Sequence, residues 1–262
     1  MISLVKENWR LILELAKREV KDRYTDSVLG NLWAVGHPLF LMVLYSVIFN
    51  YVFTARIGDS YELPQDLTTY ILSGLIPWLT VQEVLGRSAS VITTNSNLVK
   101  QIVFPVEILP IKSSISVIPS LAISTLFIIL YQLYQIHSVP ITILLFPILW
   151  LSLVIHMIAI TYLLSGLGVY FRDLKEIIIV FNSANLFLMP VIFLPGVLPD
   201  YVDYFFHLNP FSYMVWSFQD IFYFGEIRHL PELSLFVLSS PLTLYVSYSI
   251  FMKFKSAFGD NL

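Results

Sequence analysis

Apolar runs of eighteen or more residues recur along the whole of this 262-residue chain. Each matches the roughly 20 residues an α-helix needs to cross the hydrocarbon core of a bilayer. Six such spans are placed near 32–53, 67–86, 113–134, 139–169, 177–196 and 233–252. Only 13% of residues are charged and 57% are hydrophobic, about half the charge of an ordinary soluble domain. No remaining stretch is long enough to fold as a separate globule. The expected fold is an all-α membrane protein of about six transmembrane helices, one domain over 1–262.

The basic residues fix the expected orientation. Six lie in the N-terminal segment, three (Arg87, Lys100, Lys112) after the second span, two (Arg172, Lys175) after the fourth and two (Lys253, Lys255) in the tail. Only Arg56 and Arg228 of the fifteen fall in the opposite loops. Lys and Arg concentrate on the cytoplasmic side, so four agreeing segments put both termini in the cytoplasm. The charged first 30 residues do not read as a cleavable signal peptide. No Asp, Glu, Lys or Arg falls mid-span, whereas ion-coupled carriers keep ionisable groups there. An energy source outside this chain is expected.

Three segments carry further information. Residues 1–30 hold an amphipathic helix, with Val5, Trp9, Ile12, Leu13, Ala16, Val20 and Tyr24 at three- and four-residue spacing. It is expected to lie in the interface, as a simple anchor or as a dock for a cytoplasmic partner. In the cytoplasmic stretch 95–110, a short apolar helix Leu98–Phe104 ends at Pro105, which removes a backbone donor. It needs a partner surface, the interface, or a place on its own protein. The outer stretch 200–225 is dense in aromatics and interrupted by Asn209-Pro210. Two short helices dipping back into the outer leaflet are expected; a plain aromatic belt is the alternative. Tyr45, Phe49, Tyr70 and Trp78 could line a glycan path, since aromatic rings stack on sugar faces; taken singly, such residues more often face lipid or pack in the core.

Several chemistries find no support. There is no Gly-x-x-x-x-Gly-Lys-Ser/Thr phosphate loop and no His-Glu-x-x-His zinc pair. There is no cysteine, which removes disulfide and thiolate chemistry. His156 and Ser165 share the fourth span, but nothing in their spacing demands a catalytic pair. Ser165, Gly166 and Gly168 fit close helix contact better.

The whole order resembles the membrane-spanning subunit of type 2 ABC exporters, specifically the polysaccharide and O-antigen export permeases. The resemblance rests on Arg23-Tyr24, Leu29-Gly30, Trp33 and Pro38; on Leu98-Val99-Lys100 and Phe104-Pro105-Val106-Glu107-Ile108-Leu109-Pro110; and on Phe171-Arg172-Asp173, Pro190-Val191-Ile192-Phe193 and Leu208-Asn209-Pro210. No single motif decides it; their order between spans does.

The resemblance implies a homodimer around a channel in the cytoplasmic (inner) membrane, docked to two copies of a cytoplasmic ATPase subunit that bind ATP and Mg. This chain would hold no cofactor or metal, bind no nucleic acid and catalyse nothing itself. The substrate would be a polysaccharide on a polyprenyl pyrophosphate, as in lipopolysaccharide biosynthesis. Coupling to the ATPase would fall to Leu98, Val99, Lys100, Val103, Phe104 and Pro105. The outer gate would include Tyr204, Phe205, Asn209, Pro210, Tyr213 and Trp216. Arg10, Arg18, Arg23 and Arg87 are the candidates to receive the lipid headgroup. An exporter of small molecules or drugs, or a membrane enzyme acting on lipid-linked sugars, are the alternative readings.

Overall fold

The computed structural model describes residues 2–25, 27–49, 66–100, 104–135, 137–193, 200–256 and 258. Among them every regular element is helical. The helices are α1 (Ile2–Asp22), α2 (Trp33–Val47), α3 (Leu67–Ser88), α4 (Val91–Thr94), α5 (Ser96–Val99), α6 (Ile108–Ile115), α7 (Ile118–Gln135), α8 (Phe146–Gly168), α9 (Leu174–Asn185), α10 (Asp200–Leu208), α11 (Pro210–Gln219) and α12 (Leu230–Lys255).

Three helical stretches are both long and apolar enough to cross a membrane: Ile108–Gln135, Ile141–Gly168 and Leu230–Lys255. Trp33–Val47 is a shorter apolar helix. The expected span at 67–86 is α3, whose 22 residues reach about 33 Å with a more polar composition. Helices α2, α7, α8, α9 and α11 pack around it, and most of its side chains are buried. A helix enclosed by its own protein needs no lipid-facing apolar surface, so Thr68, Thr69, Ser73 and Thr80 are tolerated there.

Two boundaries depart from expectation, both at prolines. The third span begins earlier, as α6, and is broken before α7, because the ring of Pro119 clashes with the carbonyl of Ile115. The fifth is shorter than 177–196: after α9 a single 3₁₀ turn, Leu186–Leu188, gives way to extended backbone at Met189. The residue before a proline is pushed out of the helical region, and Pro190 follows.

Capping explains other ends. Asp66 caps α3, accepting from the Thr69 N–H at 3.1 Å and the Thr69 hydroxyl at 2.6 Å, and it also receives the Tyr131 hydroxyl at 2.9 Å. Between α7 and α8, His137 has a positive φ of 59°, a region that His visits more readily than most residues.

The apolar core has two parts. The larger surrounds α3, with Tyr70, Trp78, Leu121, Leu153, Phe218 and Phe222 fully buried. The second gathers Ile12 of α1, Val91 and Ile92 of α4, Ile108, Leu109 and Ile111 of α6, Tyr162 of α8 and Phe251 of α12. Helix α1 therefore docks on the same end of the bundle as the last turns of α12. Helix α1 and the last turn of α12 share the end that carries Arg87, Lys112 and Lys255. The buried stripe of α1 is Ile12 and Ala16, while Trp9 remains 46% exposed. Its apolar face is thus divided between protein and surroundings.

The small residues of α8 do allow close contact. A Cβ on Gly168 would stand 2.0 Å from the carbonyl oxygen of Ala89, and one on Gly166 would stand 3.3 Å from Phe254. Gly86 faces open space. Gly168→Ala should therefore destabilise the protein by about 1–3 kcal/mol through forced backbone displacement, whereas Gly86→Ala should be neutral or slightly stabilising. Thermal unfolding of the detergent-solubilised variants checks the contrast; equal melting temperatures would contradict it.

Candidate functional site

At the basic end, five charged side chains form one connected network across α1, α3 and α6. Arg23, just beyond α1, pairs with Glu83 on α3. Glu83 also accepts from Arg87 at 3.1 Å. Arg87 reaches Glu19 of α1 at 3.4 Å, and Glu19 pairs with Lys112 of α6 at 2.8 Å. Ser113 donates to Glu19 at 3.0 Å, and Lys112 donates to Asn95 at 3.4 Å. Burial works against the charge on Glu19, but Lys112 and Arg87, with the Ser113 hydroxyl, hold its carboxyl below the ordinary value of 4.5.

This network borders a cavity of about 600 Å³. Its wall holds Arg18, Glu19 and Asp22 from α1, Arg87 and Lys112 from α3 and α6, and the polar groups of Ser90, Thr94, Asn95, Asn97 and Ser113. Three cations face two carboxylates, leaving an excess positive charge beside many hydrogen-bonding groups. Of the four predicted arginines, Arg18 and Arg87 line the cavity, and Arg23 joins through Glu83. Arg10 lies about 12 Å back along α1, exposed and away from the wall. Sequence reasoning missed Glu19 and Lys112. Glu19 continues the buried stripe Ile12, Ala16 at helical spacing, a signal that was readable; the burial of Lys112 had no local sign.

Leu98, one of the predicted coupling residues, lines the same cavity. The short helix there is Ser96–Val99, ahead of the expected Leu98–Phe104. Leu98, Val99 and Phe104 are half-buried against the second core, and Lys100 is exposed. Pro105 lies in the link to α6. Val103 lies outside the described residues.

At the opposite end, α10 and α11 meet at Asn209-Pro210 as two helices. Asn209 caps α11 through the Phe211 N–H at 3.1 Å and also donates to Asn185 at 2.8 Å and to the Leu188 carbonyl at 2.9 Å. Tyr204 and Phe205 are exposed, Tyr213 is half-buried with its hydroxyl on the His207 carbonyl at 2.7 Å, and Trp216 is buried. After α11 a π turn, Asp220–Phe224, ends in left-handed Gly225. Asp220, fully buried, accepts from the N–H groups of Arg228 and His229 and from the His229 ring at 2.8–3.0 Å. Sequence reasoning placed no weight on Asp220.

The aromatics proposed to line a path divide. Tyr70 and Trp78 are buried in the chain's own core, Tyr70 with its hydroxyl on the Phe193 carbonyl at 2.8 Å and Trp78 edge-on to Phe211. Neither presents a ring to a passing polymer in this conformation, because the helices around α3 enclose both. Tyr45 stacks on Phe49 and borders a groove of about 360 Å³ between α2, α3 and α7. His156 and Ser165 do not meet: Ser165 donates to the Tyr162 carbonyl, and His156 faces Ser239 at 3.3 Å. Among the described residues no cluster of three His, Asp or Glu is placed to hold a metal ion.

The family model described as "ABC-2 type transporter" matches residues 10–223. An O-antigen export system permease protein RfbA from Myxococcus xanthus is 26% identical over the whole of both chains. Two proteins of the same description from Klebsiella pneumoniae are 24% and 25% identical, covering 96% of this chain and 95% of their own length.

The lowered Glu19 value has a definite sign. The ion pair contributes its stability above the ordinary carboxylate value of 4.5, and that contribution is lost as the pH falls through the lower folded value. Glu19→Gln should loosen α1 by about 1–3 kcal/mol at pH 7. Hydrogen exchange of α1 amides should show the difference at neutral pH, and the difference should shrink in acid. An equal difference at all pH values would contradict the assignment.

Proposed function

The chain belongs to the ABC-2 type transporter family, and from that premise we propose that it is the membrane-spanning permease subunit of an ATP-driven exporter of lipid-linked polysaccharide of the O-antigen class. The observation that carries this is full-length similarity to three O-antigen export permeases. The polar, net-cationic cavity at the basic end gives it a physical basis, since a pyrophosphate is held by cations and hydrogen-bond donors.

In this reading the chain crosses the inner membrane six times, counting α2, α3, α6–α7, α8, α9 and α12, with both termini in the cytoplasm. The shared end of α1 and α12 supports an even count. Two copies pair around the polymer path, and each docks one cytoplasmic ATPase subunit, which binds ATP and Mg. The exposed apolar face of α9, with Ile177, Val180 and Phe181, suits a second copy or lipid.

The lipid headgroup settles against Arg18, Arg87 and Lys112, with Arg23 tuning the site through Glu83. ATP binding pushes on residues 95–110, where Leu98, Val99, Lys100, Val103, Phe104 and Pro105 meet the ATPase. The motion reaches the outer pair α10–α11, whose exposed Tyr204 and Phe205 form the mouth while Asn209, Pro210, Tyr213 and Trp216 form its hinge.

Gentle solubilisation should recover the chain with a stoichiometric ATPase; emergence alone, even after cross-linking, would count against the exporter. Leu98→Glu and Phe104→Glu should leave ATP hydrolysis in that complex but reduce polysaccharide export at least tenfold. Undiminished export in both variants would sink the coupling assignment.

A further inference from the structure

Helix α6 is short, buried along its length, and yet framed by two charged residues, Glu107 at its N-cap and Lys112 within it. Each side chain is less than one-tenth exposed. Each is tied to a different terminal helix. Glu107 accepts from Lys255, in the last turn of α12, at 2.6 Å. Lys112 pairs with Glu19 of α1 at 2.8 Å. The flank facing α8 is held by neutral bonds, with the Tyr162 hydroxyl on the Glu107 carbonyl at 2.8 Å and Ser114 against Thr161 at 2.9 Å.

Buried ion pairs are poor stabilisers, because apolar residues of similar volume often do as well without the desolvation cost. They serve better as locks: a buried carboxylate separated from its cation is left uncompensated, so the two elements move together or not at all. The position of these locks is informative. Asn95, just ahead of α5, accepts from Lys112 at 3.4 Å, and Pro105 and Val106 turn directly into α6, so a push delivered at α5 arrives first at the helix whose two charges hold α1 and α12.

We infer that Glu107 and Lys255 are positioning residues for transport: with Glu19–Lys112 they make α6 a rigid strut that carries the stroke from α5 to α12 and α1 as one body. This rests on the exporter reading for the origin of the stroke, but the rigidity of the strut is a property of the chain alone.

The chain contains no cysteine, so two introduced cysteines, labelled before the ATPase is added back, are the only labelling sites it offers. Labels at Asn97 and Lys253, both exposed, in the full-length chain with its co-purified ATPase in nanodiscs, should give one narrow distance distribution with and without a non-hydrolysable ATP analogue. Lys255→Met should broaden it and, in the unlabelled chain reconstituted with its ATPase in proteoliposomes, lower the polysaccharide exported per ATP hydrolysed at least tenfold. Lys255→Arg, which keeps the charge, should behave as the unmodified chain. The exchange Glu107→Lys with Lys255→Glu should restore both readouts to within about threefold.

A broad distribution in the unmodified chain overturns the strut, as does a narrow one with undiminished coupling in Lys255→Met. Broadening by Lys255→Arg equal to that by Lys255→Met would assign the effect to packing and also overturn it. The distance is read without cargo, so an unmodified chain with narrow distances but no ATP-driven export would count against the exporter reading and leave the strut standing.

Discussion

Glu107 and Lys112 are charges that a buried eight-residue helix holds only because each has a partner from a distant part of the chain. Glu19 comes from α1 and Lys255 from the last turn of α12, and through these two pairs α1, α6 and α12 are held together at one end of the bundle. The polar cavity follows from that assembly. Its wall exists because α1 lies across α6 and the end of α3, bringing Arg18 and Asp22 opposite Arg87, Asn95 and Ser113. Remove the docking of α1 and the cavity has only one side.

The far end is held by different means. There the bonds run mostly to backbone: Gln132 to the Phe222 carbonyl, Thr142 to the Ile221 carbonyl at 2.8 Å, and Asp220 to the N–H groups beyond the π turn. A π turn leaves carbonyls without their usual helical partners, and side chains from neighbouring elements take them up. Such an arrangement fixes where the short helices α10 and α11 end while leaving their exposed aromatic edge, Tyr204 and Phe205, outside the core. The charge pairs that tie α1 and α12 to α6 thus lie at one end, and the side-chain bonds that take up the π-turn carbonyls lie at the other.

Much of the fold was legible in the sequence because apolar length is a local property. The stretches 141–168 and 230–255 agree with the spans near 139–169 and 233–252 within a few residues, and the Asn209-Pro210 break separates two helices where composition placed it. The failures share a cause: burial by the protein's own helices cannot be read from one segment. Tyr70 and Trp78 looked available to a polymer but belong to the core around α3. Lys112 looked like one more orientation charge but is buried against Glu19. Prolines supplied the local error, since Pro119 and Pro190 moved element ends that hydropathy alone left unmarked.

Movement of a lipid-linked polysaccharide across the membrane by this chain and a separate ATPase, proposed above, can be followed in a purified system. The most direct measurement reconstitutes the chain with its co-purified ATPase in proteoliposomes loaded with polyprenyl-pyrophosphate-linked glycan. Appearance of the glycan on the opposite leaflet is then followed with ATP, without it, and with a non-hydrolysable analogue. Transfer is expected only with hydrolysable ATP, and it should be lost when the glycan lacks its pyrophosphate lipid. Transfer that ignores ATP, or ATP turnover stimulated by small hydrophobic compounds but not by the lipid-linked glycan, would contradict it.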